Sequence, residues 1–263
     1  MSKIVDLTRT LENRPDDFPA MFKPLERILF PKINYIDHAA GANIMMQIFN
    51  CQKTDLPKES GWAEEDLTIS SHLGTHVDAP WHYGPIDDTT KYPFIDQVPL
   101  ENLYLKGCVL DFTNLSGTGS LITVDMLQEK LDEIGLTHLN EPMAILLNTG
   151  SSEIPIVDFK HHNYPGLDKD SADYLVKTGF TIIGTDATGI DRPFLHMAND
   201  FHKTNDKRHI WGAHFALQGK DVYILQQLTN LKALPVKNFK LACFPLKLKQ
   251  ASSAPARIVA FLD

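Results

Sequence analysis

The sequence predicts a single mixed α/β domain with more strand than helix, and three observations carry that expectation. Short, mainly apolar runs of strand length recur along the whole chain, several with no alternation, which suits strands covered on both faces. Amphipathic stretches bounded by capping residues lie between some of these runs. No Gly/Ser linker, low-complexity tract or repeat interrupts the 263 residues, so the boundaries are taken as 1–263.

In chain order, the candidate strands are residues 44–49, 108–112, 143–148, 180–184, 222–225, 241–246 and 256–261. Thr123 can cap a helix whose apolar positions Val124, Leu127, Leu131 and Ile134 recur at three and four. Asp168 can cap a second, with Ala172, Leu175 and Val176 facing inward and Gly179 ending it. A third candidate runs from about Lys207 to Gln218 and stops at Gly219. The segment from Pro15 to Ala40 carries several prolines and no clear period, and it reads as a long covering loop with short elements.

Composition narrows the function. Hydrophobic residues make up 43% and charged residues 22%, ordinary globular usage that rules out a wholly disordered chain. A formal charge of −8 argues against nucleic acid or an anionic membrane as partner and favours a small molecule. The three cysteines, Cys51, Cys108 and Cys243, make no CxxC pair and read as buried thiols of a reducing compartment. The opening Met1-Ser2-Lys3-Ile4-Val5-Asp6 has no signal-peptide run, and no apolar stretch approaches about 18 residues, so the expected setting is the cytoplasm.

The informative stretch is Ser71-His72-Leu73-Gly74-Thr75-His76-Val77-Asp78-Ala79-Pro80-Trp81-His82. Three of the chain's eleven histidines fall within it. His72, His76, Asp78 and His82 would share one face of an extended segment. A straight strand would hold His72 and Asp78 about 20 Å apart, too far for one ion. The chain must therefore fold back, and Gly74 and Pro80 supply the means. Two imidazoles and a carboxylate suit Zn²⁺ or Mn²⁺ and leave positions open for water and substrate. His82 would stand outside that set, free to move protons near neutral pH.

His72-Leu-Gly-Thr-His76-Val-Asp78-Ala-Pro80-Trp-His82 resembles the HxGTHxDxPxH signature of the cyclase family of metal-dependent hydrolases, which includes kynurenine formamidase and isatin hydrolase. The likeness extends to Ile4–Thr8, Leu146-Leu147-Asn148-Thr149-Gly150, Gly184-Thr185-Asp186, Gly189-Ile190-Asp191 and the C-terminal runs. The resemblance implies a swivelling β/β/α domain, assembled as a homodimer or homotetramer. It implies that His72, His76 and Asp78 hold the metal and that His82 is the acid/base. His214, in Trp211-Gly212-Ala213-His214, falls where kynurenine formamidases place a histidine of a second metal site. Twelve residues on stands Gln226, where that pattern has glutamate. A neutral amide is a poorer cation ligand than a carboxylate, which favours one ion. Gly61-Trp62-Ala63 resembles isatin hydrolase, where aromatic side chains wall a flat substrate.

The expected chemistry is metal-dependent hydrolysis of a carbon–nitrogen amide bond in an aryl formamide or cyclic amide. The ion activates water, His82 exchanges protons, and His214 acts from behind the ligands or as an oxyanion donor. Gln226, Trp62 and Trp81 are candidate second-site or substrate contacts. The rival readings are a metal-assisted lyase or cyclase and a non-catalytic metal-binding relative.

Overall fold

The computed structural model describes residues 3–84 and 92–262; Met1 and Ser2 of the opening segment lie outside them. In chain order the elements are β1 (Lys3–Asp6), α1 (Glu26–Leu29), β2 (Lys32–Ile36), α2 (His38–Phe49), β3 (Glu64–Thr68), β4 (His76–Asp78), β5 (Tyr104–Asp111) and α3 (Val124–Ile134). There follow β6 (Met143–Asn148), α4 (Lys169–Thr178), β7 (Phe180–Thr185), α5 (Phe194–Thr204), α6 (Gly212–Ala216), β8 (Tyr223–Gln226), β9 (Lys237–Ala242), β10 (Ser253–Pro255) and β11 (Val259–Leu262). Their contacts gather into two compact units, residues 1–10 with 74–263, and residues 11–73.

The larger unit is built on a nine-stranded sheet in the order β1-β11-β9-β5-β6-β7-β8-β4-β10. Its centre, β5 to β8, is parallel, and the flanking pairs are antiparallel. The fully buried β6 shows why: Ala144 and Leu146 join an apolar layer with Leu7, Val77, Leu225 and Leu241, while Ile145 and Leu147 face the other way. That second layer is filled by Leu127 and Leu131 of α3 and by Ala172 and Leu175 of α4. A strand covered on both faces needs apolar residues at every position, so alternation is lost. The sheet also curls, because Thr8 bridges Leu228 and the Thr229 amide donates to the Leu7 carbonyl. The smaller unit pairs β2 with β3, Lys32 opposite Thr68. In it α2 lies against the chain at Trp62, closely enough that a Cβ on Gly41 would stand 1.9 Å from the Trp62 carbonyl oxygen.

The capping residues act as the sequence predicts. Thr123 accepts from the Met126 amide and Asp168 from the Ser171 amide, while Gly135 (φ +69°) and Gly179 (φ +116°) close α3 and α4 in the left-handed region. Two expectations are corrected. Residues 44–49 are not a strand but the second half of α2, which Asp37 caps by accepting from the Ala39 and Ala40 amides. A short apolar run has no period to distinguish the two. Residues 207–218 do not form one helix: a short turn at Lys207–His209 and the separate α6 are divided by Trp211, whose φ of +53° no helix interior allows. Residues 15–40, expected as a covering loop with short elements, contain α1, β2 and the start of α2. No helix among the described residues is long and apolar enough to cross a membrane.

Replacing Asp168 with alanine removes the hydrogen bond to the Ser171 amide, 2.9 Å long. Denaturant unfolding should register a loss of about 1 kcal/mol, the usual worth of such a cap.

Candidate metal centre

The centre grows from β4, which lies between β8 and β10 with His76 opposite Gln226, Asp78 opposite Ile224 and Ser253 opposite Asp78. All three β4 residues are buried. Just before the strand, Gly74 turns the chain back with φ +56°, the fold-back that a common ion requires. Thr75 then fastens the strand start: its hydroxyl donates to the Gln227 carbonyl at 2.6 Å and accepts from the Arg9 amide at 2.9 Å. After β4, the turn Pro80–His82 carries His82, whose amide donates to the Ala79 carbonyl.

Within the stretch 72–82, His72, Asp78 and His82 each offer one ligand atom, and the three atoms lie within 4.8 Å of one another. His76 stands against the same carboxylate, its Nε2 3.3 Å from Asp78 Oδ1. The Nδ1 of His76 donates to the Gly74 carbonyl at 2.7 Å, so in the neutral ring Nε2 carries the lone pair. Two lone-pair atoms that face each other this closely repel unless a proton or a cation lies between them. The group that could share one ion is thus two imidazoles and one carboxylate, His72, His82 and Asp78, with His76 outside it against the same carboxylate; such a donor set suits a divalent transition metal or zinc. These residues fit such an ion.

Three further residues, contributed by α6, β8 and the loop after β7, complete the surroundings. The Gln226 amide nitrogen donates to Asp78 Oδ2 at 2.9 Å and stands 3.4 Å from His214 Nε2. The Nδ1 of His214 donates to Asp191 Oδ2 in a close contact, and Asp191 also accepts from the Ala213 and His214 amides. Trp211 stacks on the His214 ring with centroids 4.2 Å apart, and the half-buried His82 ring meets Trp211 at 5.1 Å and His214 at 5.6 Å, both edge-on. Burial and the charge of Asp78 push the Tyr83 phenol well above its usual range, so it stays protonated and donates to the Val222 carbonyl.

The structure thus gathers His76, Asp78, His82, His214 and Gln226 into one site, with His72 in the ligand cluster of the signature stretch. Trp81 packs on Phe94, ring centroids 4.6 Å apart. Trp62 belongs to the 11–73 unit, 38% exposed. Sequence reasoning assigned no role to Asp191, Trp211 or Tyr83. The Trp211-Gly212-Ala213-His214 run gave a signal for Trp211, whose distance of three residues from His214 allows contact within one turn.

Comparison with known proteins identifies the family. The Cyclase family model matches residues 5–192. The kynurenine formamidase of Maricaulis maris is 32% identical over 193 residues, covering 73% of this chain and 78% of that protein. The kynurenine formamidase of Bacillus thuringiensis is 26% identical over 218 residues, covering 78% and 87%. Isatin hydrolase A from Labrenzia aggregata, bound to benzyl benzoate, superposes with a TM-score of 0.74 at 22% identity, over 99% of this chain and 94% of that one. From the matched residues, the signature stretch and the shared fold, the chain belongs to the Cyclase family of metal-dependent hydrolases.

Proposed function

We propose that this enzyme hydrolyses a carbon–nitrogen amide bond in an aryl formamide or a cyclic amide, with one divalent ion, Mn²⁺ or Zn²⁺, held by His72, His76 and Asp78. The observation that carries the reading is the buried pair of lone-pair atoms, His76 Nε2 and Asp78 Oδ1, 3.3 Å apart beside His72 and His82. The names of the related formamidases and isatin hydrolase support the amide bond as target.

A bound divalent ion supplies Lewis acidity, which lowers the pKa of water from about 15.7 toward about 7 and polarises a carbonyl. His82 is half-buried beside the ligand cluster, and its imidazole can take a proton from water and return it to the departing nitrogen. Trp211 and the His214 ring lie against His82 and limit its rotation. His214 carries its proton on Nδ1, toward Asp191, so the geometry favours its role behind the ligands over that of an oxyanion donor. The site is assigned to one small-molecule amide substrate, and the chain to a homodimer or homotetramer in the cytoplasm.

A second reading of His82 has its own support. Its nitrogen is among the atoms within 4.8 Å, which would make it a further ligand. Metal analysis of two variants separates the roles. His76→Ala should lose both ion and activity, since three ligands become two. His82→Ala should keep the ion and lose about 10²–10⁴-fold in rate. A metal-free, folded His82→Ala protein would move His82 to the ligand set.

For the reaction, the metal-loaded protein should be incubated with N-formylkynurenine, isatin and a panel of cyclic imides. Addition of water across a carbon–nitrogen bond is the expected result by mass spectrometry. Loss of water or ring closure would favour the lyase, and no turnover of any of these would count against the amide class.

Gln226 bears on metal number. A second nearby ion needs carboxylates to offset repulsion, and the amide offers none. The wild type should bind one ion per chain in excess Mn²⁺ or Zn²⁺, and the nearly isosteric Gln226→Glu should gain affinity for another. Two well-occupied ions in the wild type, seen by anomalous scattering, would overturn the one-ion reading.

A further inference from the structure

Asp191, His214, Gln226 and Asp78 form an unbroken line of contacts, and every member is buried, none more than 6% exposed. Its direction can be worked out from the ends. Asp191 is acceptor only, and both its oxygens already take main-chain amides, Ala213 at 2.7 Å and His214 at 3.3 Å. A carboxylate in that setting requires the His214 Nδ1 proton. A neutral imidazole with its proton on Nδ1 offers a lone pair at Nε2. The atom that meets this lone pair at 3.4 Å is the Gln226 amide nitrogen, which carries two hydrogens. One hydrogen serves His214 and the other serves Asp78 Oδ2 at 2.9 Å. Reversing any link would set a donor against a donor or an acceptor against an acceptor in a buried place, where neither group can turn to water instead.

We infer that Asp191 is a positioning residue for the metal centre: through the His214 tautomer it fixes the face that the Gln226 amide turns to Asp78, so that Oδ2 is held by an N–H and the carboxylate is fixed with Oδ1 toward His76. This rests on the one-ion reading, since a second ion at His214 and residue 226 would take the place of the N–H. The position opposite His76 in the sheet therefore has a use that a glutamate there could not serve, because a carboxylate has no hydrogen to give to Asp78.

The experiment has two readouts on the full chain. The first is the two-bond ¹H–¹⁵N correlation spectrum of the histidine rings, metal-free and with Zn²⁺, with the His214 signals assigned by their loss in His214→Gln. Wild-type His214 should show the proton on Nδ1. In Asp191→Asn, whose amide can donate to Nδ1, the proton should move to Nε2 while the other histidine signals stay. The second readout is metal affinity. Asp191→Asn and Gln226→Leu should each weaken Mn²⁺ binding about 10–100-fold, the usual cost of losing a group that orients a ligand. Because both act through one hydrogen bond, the double variant should bind no more weakly than the worse single variant.

A wild-type His214 protonated on Nε2, or an Asp191→Asn protein with unchanged tautomer, overturns the inference. So does strict additivity of the two affinity losses. If Asp191→Asn does not fold, the wild-type spectrum and Gln226→Leu still decide. A stoichiometry of two ions in the wild type defeats the one-ion reading instead, and it is measured separately from the tautomer.

Discussion

Asp78 has no surface open to water, and a carboxylate taken out of water costs several kcal/mol unless its oxygens are engaged. The neighbourhood is arranged around that cost. Oδ2 takes the Gln226 amide, Oδ1 faces His76, and further imidazole nitrogens stand within ligand distance. Register is therefore strict. A slip of one residue along β4 would bring Val77 to the polar site and push Asp78 into the layer that holds Leu225 and Ala254. Both neighbouring strands, the Thr75 hydroxyl and the Gly74 turn oppose that slip. The polar centre is thus stable because three elements fix where a three-residue strand begins.

The same geometry separates two kinds of histidine. His76 and His214 are fully enclosed, and each gives its Nδ1 proton to a fixed acceptor, a carbonyl in one case and a carboxylate in the other. Their protons are committed to structure. His82 is half-buried, meets Tyr83, Trp211 and His214 edge-on, and is open to water where the other two are enclosed. Environment, more than residue type, distinguishes the two enclosed rings from the half-buried one.

Much of this was legible in the sequence, and the limits have physical causes. The caps at Thr123 and Asp168 could be read because a cap is a local hydrogen bond. The 143–148 and 180–184 runs were legible because central parallel strands are apolar throughout. The signature at 72–82 was legible because its chemistry is packed into one segment with a glycine at the required turn. Residues 44–49 misled because an apolar run gives the same signal in a strand and in the end of a helix. Asp191 was quoted only as part of a resembling run, since its partner His214 lies 23 residues away and no spacing rule links them. Trp211 breaks the helix expected there because its φ is positive, a conformation that helix propensity and apolar spacing do not signal.

The pairing of β1 with β11 has a consequence for how the chain matures as it leaves the ribosome. Lys3 faces Leu262, and the Thr8 hydroxyl donates to Ile258 across 250 residues of sequence. Strand β1 is made long before its sheet partner, since 250 residues separate Thr8 from Ile258. The tail of β1 also supplies the Arg9 amide that holds Thr75, next to His76. The support beneath this stretch is therefore completed only when the long-range pairing can close. A nascent chain stalled before residue 253 would display the whole 72–82 stretch and still lack β10, the strand that pairs with His76–Asp78 on one side.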